Sequence, residues 1–321
     1  MSKKIKITFL NWWVENGNDI PNANNRTKHN FFKRFIENYL GFETIIVKNN
    51  PDILFFSVPT KKCPIQFVKE NANIKLKIFF CGENTKNPRW KRYDDHYLNF
   101  ADIALGFPDI IHNNYIRFPY WLTQINLENL NMGMVNLPFC KLDNFKINTN
   151  RDFCCIINSH DMYNTRINII KYLNEYKLVH VSGNIHNNFD RLNIPYIKLS
   201  CGKNIDNKIV TLNKFTFNIC SENSFTPNYV TEKIFECIIG GCIPIYYGEK
   251  DVLIEPEILN NDFIIKYNNN NINEVVTKIK ELDSNPEILK KFLEIKPLKD
   301  DAYNNIIKKY DQLKYKILEY I

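Results

Sequence analysis

Short apolar runs alternate with helix-length amphipathic stretches along almost the whole chain. Runs of about four to eight apolar, β-branched and aromatic positions predict strands. They fall at Ile5–Trp12, Thr44–Val47, Ile53–Ser57, Leu76–Cys81 and Ile103–Gly106, and then at Phe153–Asn158, Leu178–Ser182, Phe215–Cys220, Ile243–Tyr247 and Phe263–Tyr267. Between them, apolar positions at helical spacing predict helices, most clearly over Lys28–Tyr39, Thr165–Tyr176, Tyr229–Ile239 and Ile272–Leu282. Such alternation predicts parallel sheets covered on both faces. The series breaks at Cys140–Arg151, "CKLDNFKINTNR", which is polar and has no period. Two open α/β domains with a cleft between them are therefore expected: one over 1–147 and one over 148–299, closed by a long helix over 300–321. No internal repeat has a fixed period. In open α/β sheets ligands gather beyond the carboxyl ends of the strands, so chemistry should sit just after strands.

Composition narrows the class. With 321 residues, 44% hydrophobic and 24% charged, the chain reads as globular rather than disordered. Gly 10 and Pro 14 are too few for a fibrous or low-complexity chain. A chain this long buries about 75% of its unfolded surface and needs no disulfide or metal staple. Its formal charge of +7 suits either a solvated surface or an anionic ligand. The densest basic run, "NPRWKRYDDH", is followed at once by acids, so a small anion in a cleft is favoured over nucleic acid. Nine cysteines, none in a C-x-x-C pair and most inside apolar runs, predict reduced, buried thiols rather than a disulfide framework or zinc site. The apolar run of "MSKKIKITFLNWW" is too short for a signal peptide's core, and no stretch reaches the ~18 apolar residues of a membrane span. A soluble cytoplasmic protein is expected.

Most of the chemical signal lies in Thr216–Gly248, "TFNICSENSFTPNYVTEKIFECIIGGCIPIYYG". A strand ends near Cys220, a polar turn runs through Pro227, and a helix starts near Tyr229. Gly240-Gly241 stops it before a returning strand. Thr231, Glu232 and Lys233 then occupy the first helical turn, where free N–H groups and the positive dipole end favour an anion and Lys233 adds a full charge. A capped surface helix with an incidental lysine would leave the same pattern.

The string Glu222-Asn223-Ser224, a short turn, and Tyr229-Val230-Thr231-Glu232-Lys233 resembles the donor-binding signature of glycosyltransferase family 10, the α1,3/4-fucosyltransferases. Other pieces resemble the family in order and spacing: "ITFLNWW", "IFFCGENTKNPRW", "ADIALGF" followed by "NNYIRFPYW", and "SHDMYNTRINIIKYL". Together they cover roughly Lys6 to Leu293. The resemblance implies a GT-B fold, two Rossmann-like domains facing across a central cleft, with GDP-fucose held by the second. It implies transfer of L-fucose with inversion to a glycan hydroxyl, commonly in α1,3 linkage; another GDP-sugar transferase of the same fold and a non-catalytic basic glycan- or nucleic-acid-binding protein are the alternatives, with scattered charge weighing against nucleic acid as partner. It also implies no required cofactor, a divalent metal being stimulatory at most, and the chain has no Asp-x-Asp motif.

The resemblance assigns roles residue by residue. Arg166 and Lys233 would stabilise the departing GDP, as fork and point charge. Glu83 matches the family's proposed base in its Gly-Glu-Asn element. Glu222, Asn223, Tyr229, Thr231 and Glu232 would contact the donor. Asn11, Trp12, Trp13 and Asn84 would line the acceptor side, although tryptophans such as Trp12, Trp13, Trp90 and Trp121 are more often core. A loop glutamate bridged to Lys86 or Arg89, a solvated helix arginine and a surface lysine are the plain alternatives for Glu83, Arg166 and Lys233. His160 and His186 have no ligand partner at metal spacing and read as polar loop residues. Pro88 is displaced from the family's usual place after Gly-Glu-Asn, which changes the acceptor loop more than the chemistry. Without a membrane anchor, the chain resembles compact microbial or virus-encoded forms. Walker A and Gly-x-Gly-x-x-Gly are absent, which argues against a P-loop or ordinary nicotinamide enzyme. The acceptor glycan and the oligomeric state stay open.

Overall fold

The computed structural model describes residues 4–11, 31–58, 63–71, 73–125, 151–159, 161, 163–201 and 205–321. The chain forms two compact units, one of residues 1–137 with 303–321 and one of residues 138–302. The polar break at Cys140–Arg151 and the boundary at 147/148 lie outside the described residues, apart from Arg151.

The first unit holds a parallel six-stranded sheet: β1 (Ile5–Leu10), β2 (Thr44–Ile46), β3 (Ile53–Ser57), β4 (Leu76–Phe80), β5 (Ile103–Gly106) and β6 (Tyr115–Arg117), in the order β2-β1-β3-β4-β5-β6. Every residue of β3 is buried, which is why that strand reads as a continuous apolar run rather than an alternating one. Helix α1 (Phe31–Arg34) runs on as a π-turn over Phe35–Tyr39, and α2 (Pro64–Glu70) opens with proline at its first position, where no N–H is needed. Phe32 stacks on Phe55, which stacks on Phe9, with centroids 5.1 and 5.0 Å apart.

The second unit holds β7 (Asp152–Ile157), β8 (His180–Ser182), β9 (Ile197–Lys198), β10 (Phe215–Ile219), β11 (Ile243–Tyr247) and β12 (Ile265–Tyr267), all parallel, in the order β12-β11-β10-β7-β8-β9. Its helices are α3 (Thr165–Asn174), α4 (His186–Arg191), α5 (Ile205–Leu212), α6 (Glu232–Ile239), α7 (Ile272–Ser284) and α8 (Pro286–Leu293). This strand order is that of a dinucleotide-binding sheet, with its switch point between β7 and β10. After α6, Gly241 takes φ +74°, a conformation that glycine adopts without penalty, and so ends the helix as its sequence predicts.

The last helix, α9 (Ala302–Leu318), forms as predicted but belongs to the first unit. Tyr310, fully buried, packs its ring among Phe31, Phe35 and Phe118 with centroids 5.8–6.0 Å away, and its hydroxyl donates to Leu122 O at 2.7 Å. Strands β6 and β9 are not among those expected, and β9, with two residues, is too short to carry a period. The last strand starts at Ile265 rather than Phe263, because the Asn260 side chain accepts from Asp262 N and winds Asn261–Phe263 into a 3-10 turn. Of the eight described cysteines, all unbridged, six are buried, while Cys63 is exposed and Cys201 half-buried. Among the described residues no helix is long and apolar enough to cross a membrane.

One buried group in the first unit makes stability sensitive to acid. His96, with no exposed surface, lies against the rings of Phe79 and Tyr115, and its Nδ1 pairs with Asp94 O at 3.0 Å. Nε2 is buried with no hydrogen-bond partner among the described residues. Gly106 is required opposite it: a Cβ there would come within 2.7 Å of Nε2. Burial lowers the His96 pKa, against the pull of the Asp94 carbonyl and carboxylate. The unfolded chain, with histidine near 6.5, then binds a proton that the folded chain refuses, so stability present above about 6.5 is lost as pH falls below it. The denaturant midpoint is expected to drop between neutral pH and mild acid, and His96→Asn to remove that part of the slope. An unchanged slope in the variant would rule out this origin.

Candidate functional site

The loops leaving β7 and β10 flank the switch point of the second sheet, and they carry the residues the sequence singled out. Helix α3 is the element that follows β7. Asp161 accepts from Ile167 N at 2.9 Å and lies 3.5 Å from Thr165 Oγ1, capping the helix from outside its nominal cap. Burial raises the Asp161 pKa, opposed by the Ile167 N–H and by Arg166. Asn164 adopts φ 56°, which asparagine tolerates better than most side chains. The helix therefore begins with Thr165 and Arg166 aimed back into the unit.

Arg166 is fully buried and is no solvated helix arginine. Its Nε donates to Ser221 O at 3.2 Å, Nη2 donates to the same carbonyl and, at 3.1 Å, to Asn223 Oδ1. Burial lowers its pKa, and Asp161 and Glu222 oppose that fall. The guanidinium thus fixes the turn after β10. Ser221 Oγ accepts from Tyr247 N at 2.9 Å and lies 3.1 Å from the Tyr267 hydroxyl, which donates to Thr165 O at 3.2 Å. Asp161, Ser221 and Tyr267 complete this network and carry no spacing signal that a sequence reading could use.

The turn continues into a second cluster. Glu222, buried, accepts from Thr231 N (2.7 Å), Thr231 Oγ1 (2.9 and 2.7 Å) and Lys233 Nζ (2.9 Å), and Lys233 Nζ also donates to Thr231 Oγ1 at 2.7 Å. Helix α6 therefore starts at Glu232, not near Tyr229, with Thr231 as its cap residue. The reason is local: Asn228 takes φ 67° and Glu222 holds the Thr231 N–H, which prolongs the turn. Lys233 keeps only 13% of its side chain exposed and is no surface lysine. Burial works to lower its pKa, but Glu222 and Glu232 hold the ammonium above the ordinary lysine value. Arg166, Glu222, Asn223, Thr231 and Lys233 are thus brought together, with Glu232 at the first helical position.

Beside them a recess of about 410 Å³, counted with its open mouth, is lined by Glu222, Phe225, Tyr229, Tyr247 and Leu253 among others. The Tyr247 ring meets Phe225 edge-on at 5.8 Å and Tyr267 at 5.4 Å. The recess itself has an aromatic wall and a buried carboxylate, while Arg166 and Lys233 lie outside its lining, bonded to Ser221, Asn223, Glu222 and Thr231.

The first unit carries the remaining candidates. Asn11 is buried at the exit of β1 with φ 55°, and Trp12, Trp13 and His160 lie outside the described residues. Glu83 is half-buried just after β4, and its carbonyl faces the Cys81 thiol at 3.3 Å. Asn84 is buried, and its Oδ1 accepts from Lys86 N at 3.0 Å, closing its own turn. Lys86 pairs with Asp94 at 2.7 Å. Trp121 is core, and His186, in the second unit, is the first residue of α4 rather than the loop residue expected, with Nδ1 2.8 Å from Gly183 O. Among the described residues no three His, Cys, Asp or Glu side chains converge as a metal site.

Comparison with known proteins matches these elements to two family models. Residues 147–310 match the C-terminal part of glycosyltransferase family 10 (fucosyltransferase), and residues 17–124 match the N-terminal domain of alpha-(1,3)-fucosyltransferase FucT. The alpha-(1,3)-fucosyltransferase FucT of Helicobacter pylori is 24% identical over 300 residues, 87% of this chain and 57% of that protein. This chain therefore spans little more than half the length of that relative. A crystal structure of an alpha1,3-fucosyltransferase with GDP-fucose superposes with TM-score 0.57 and 20% identity, covering 98% of this chain and 92% of the other. An alpha-glucosyltransferase in complex with UDP and a 13-mer DNA reaches TM-score 0.56 at 12% identity, covering 98% of both. At such identities the likeness speaks to fold: two parallel-sheet α/β units of the GT-B class.

Proposed function

Because this chain belongs to glycosyltransferase family 10, the fucosyltransferases, we propose that it moves L-fucose from GDP-fucose to a glycan hydroxyl, forming an α1,3 linkage with inversion. The acceptor oxygen attacks the anomeric carbon from the face opposite GDP, and the bond to the β-phosphate oxygen breaks with its electron pair leaving on GDP. Glu83 takes the hydroxyl proton. Arg166 and Lys233 offset the charge that grows on the pyrophosphate, with the N-terminus of α6 adding its dipole. Glu222, Asn223, Tyr229, Thr231 and Glu232 position the donor, and Asn11, Trp12, Trp13 and Asn84 border the acceptor. Fixed protein charge makes a divalent metal dispensable in this reading. A reducing, cytoplasmic setting suits the buried, unbridged thiols.

The observation that carries this reading is the convergence of Arg166, Asn223, Glu222, Thr231 and Lys233 beside one recess at the β7/β10 switch point. It is tested by calorimetric titration with GDP, ADP and a short oligonucleotide, with a chelator present throughout. GDP is expected to bind in the micromolar range, about −8 kcal/mol, and labelled fucose to pass from GDP-fucose to a glycan array under the same conditions. Binding of the oligonucleotide alone would sink the transferase reading, and loss of GDP binding or turnover in the chelator would sink its metal-free form.

A further inference from the structure

The basic run that follows the candidate base is built as a platform. Backbone bonds from Asn87 N to Asn84 O (3.0 Å), Trp90 N to Asn87 O (2.9 Å), Tyr93 N to Trp90 O (2.9 Å) and Asp94 N to Lys91 O (3.1 Å) link successive turns from Asn84 to Asp94. Asp94 ties the far end back to the start, accepting from Thr85 Oγ1 at 3.0 Å and Lys86 Nζ at 2.7 Å. Tyr93 is part of the core formed with Leu54, Phe56 and Phe79, and Trp90 packs against it. The turns therefore push Arg89, Lys91 and Arg92 outward, and all three are exposed.

Neither arginine hangs free in water. The Arg89 guanidinium sits 4.8 Å from the centroid of Trp90, and that of Arg92 sits 4.8 Å from the centroid of Tyr93. Stacking of this kind restrains the side chain while leaving the N–H edge turned outward, so less freedom is lost when that edge grips an anion. Acids close by in sequence are otherwise engaged: Asp94 by Thr85 and Lys86, and Asp95 Oδ1 by Tyr97 N at 3.2 Å. Among the described residues none of Arg89, Lys91 and Arg92 forms a salt bridge. Two ring-restrained arginines with Lys91 between them, none in a salt bridge among the described residues, constitute an anion receptor.

Its position gives it a task. Arg89 lies six residues beyond Glu83, in the same run of turns. We propose that Arg89 and Arg92, supported by Lys91, dock a carboxylate, phosphate or sulfate carried by the acceptor, so that the acceptor is an acidic glycan whose charged group lies beyond the sugar that reacts. This assignment of the acceptor rests on the fucosyl-transfer reading and on Glu83 as its base. The guanidinium edges would bind the anion in bidentate fashion, which sets the distance and orientation of the hydroxyl presented to Glu83.

Calorimetry with four oligosaccharides of equal length, one each sulfated, phosphorylated, uronic-acid-bearing and neutral, beside a single-stranded oligonucleotide, tests the platform. The wild type is expected to bind at least one acidic probe about tenfold or more tightly than the neutral one, an advantage that fades with added salt. Which acidic probe wins identifies the source of the charge. The Arg89→Gln/Arg92→Gln double variant is expected to lose that preference. The Arg89→Lys/Arg92→Lys variant, which keeps charge but not the stacked fork, should retain only part of it and serves should the first variant misfold. Equal binding of neutral and acidic probes, a preference that survives in the glutamine variant, or tightest binding of the oligonucleotide would each overturn the proposal. GDP titration of the same samples separates the two levels. Failure of the wild type to bind GDP removes the fucosyl-transfer reading, whereas an acidic preference lost with the two arginines stands or falls without it.

Discussion

Glu83→Gln is expected to bind GDP as the wild type does and to transfer fucose a hundred to ten thousand times more slowly, the usual range for loss of a positioned general base (about 10²–10⁴). Glutamine has the same shape and still fills the space beside β4, so the turn should survive. That turn is held by other groups: Thr85, fully buried, and Lys86 both bond Asp94, and Asn84 closes its own turn. What the amide cannot do is accept the acceptor's proton as the new glycosidic bond forms. Binding of GDP involves the second unit in the proposed mechanism, so donor affinity is the internal control. Transfer of labelled fucose and calorimetry on the same preparation decide the matter. Turnover at the wild-type rate would remove Glu83 from the mechanism.

Lys233→Ala should lower both GDP affinity and rate, with about 2–4 kcal/mol lost in the transition state, or roughly 30- to 900-fold. Its ammonium is oriented by Glu222 and Thr231 rather than by solvent, so little reorganisation is needed when negative charge grows on the leaving group. Arg166→Ala should lose activity by a similar factor and be less stable as well. It leaves the Ser221 carbonyl and Asn223 Oδ1 without the guanidinium and opens a void where a fully buried side chain stood. Lys233→Ala in turn leaves the buried Glu222 carboxylate without its ammonium, so denaturant unfolding should expose a stability loss in both variants. Unchanged GDP affinity in Lys233→Ala would refute its place at the pyrophosphate.

The Glu222–Lys233 pair also explains why Glu222 stands apart from the other acids of the motif. A buried carboxylate there would be unfavourable alone, but it receives an N–H, a hydroxyl and an ammonium at once. It acts as the cap of α6 from nine residues upstream, a role that a reading by cap position assigns to Thr231. The spacing Glu222-Asn223-Ser224 to Thr231-Glu232-Lys233 is thus legible as a motif, while the bonds that make it one site are not.

The chain's linear order alone was enough to establish two parallel α/β units, to put Glu83 just after a strand and to put Arg166 and Lys233 in the first turns of helices that follow strands, because apolar periodicity, glycine stops and turn residues act over a few neighbouring positions. Strands β3, β5 and β11 have the bounds that their apolar runs predict. Short edges such as β9 needed the folded sheet, since two residues carry no period. Tertiary structure alone decided that Arg166 meets Ser221 and Asn223 across 55 and 57 positions, and that Tyr310 closes the first unit against Leu122 across 188. Those contacts follow from strand order and from which buried groups need partners, and neither is written in any local stretch of residues.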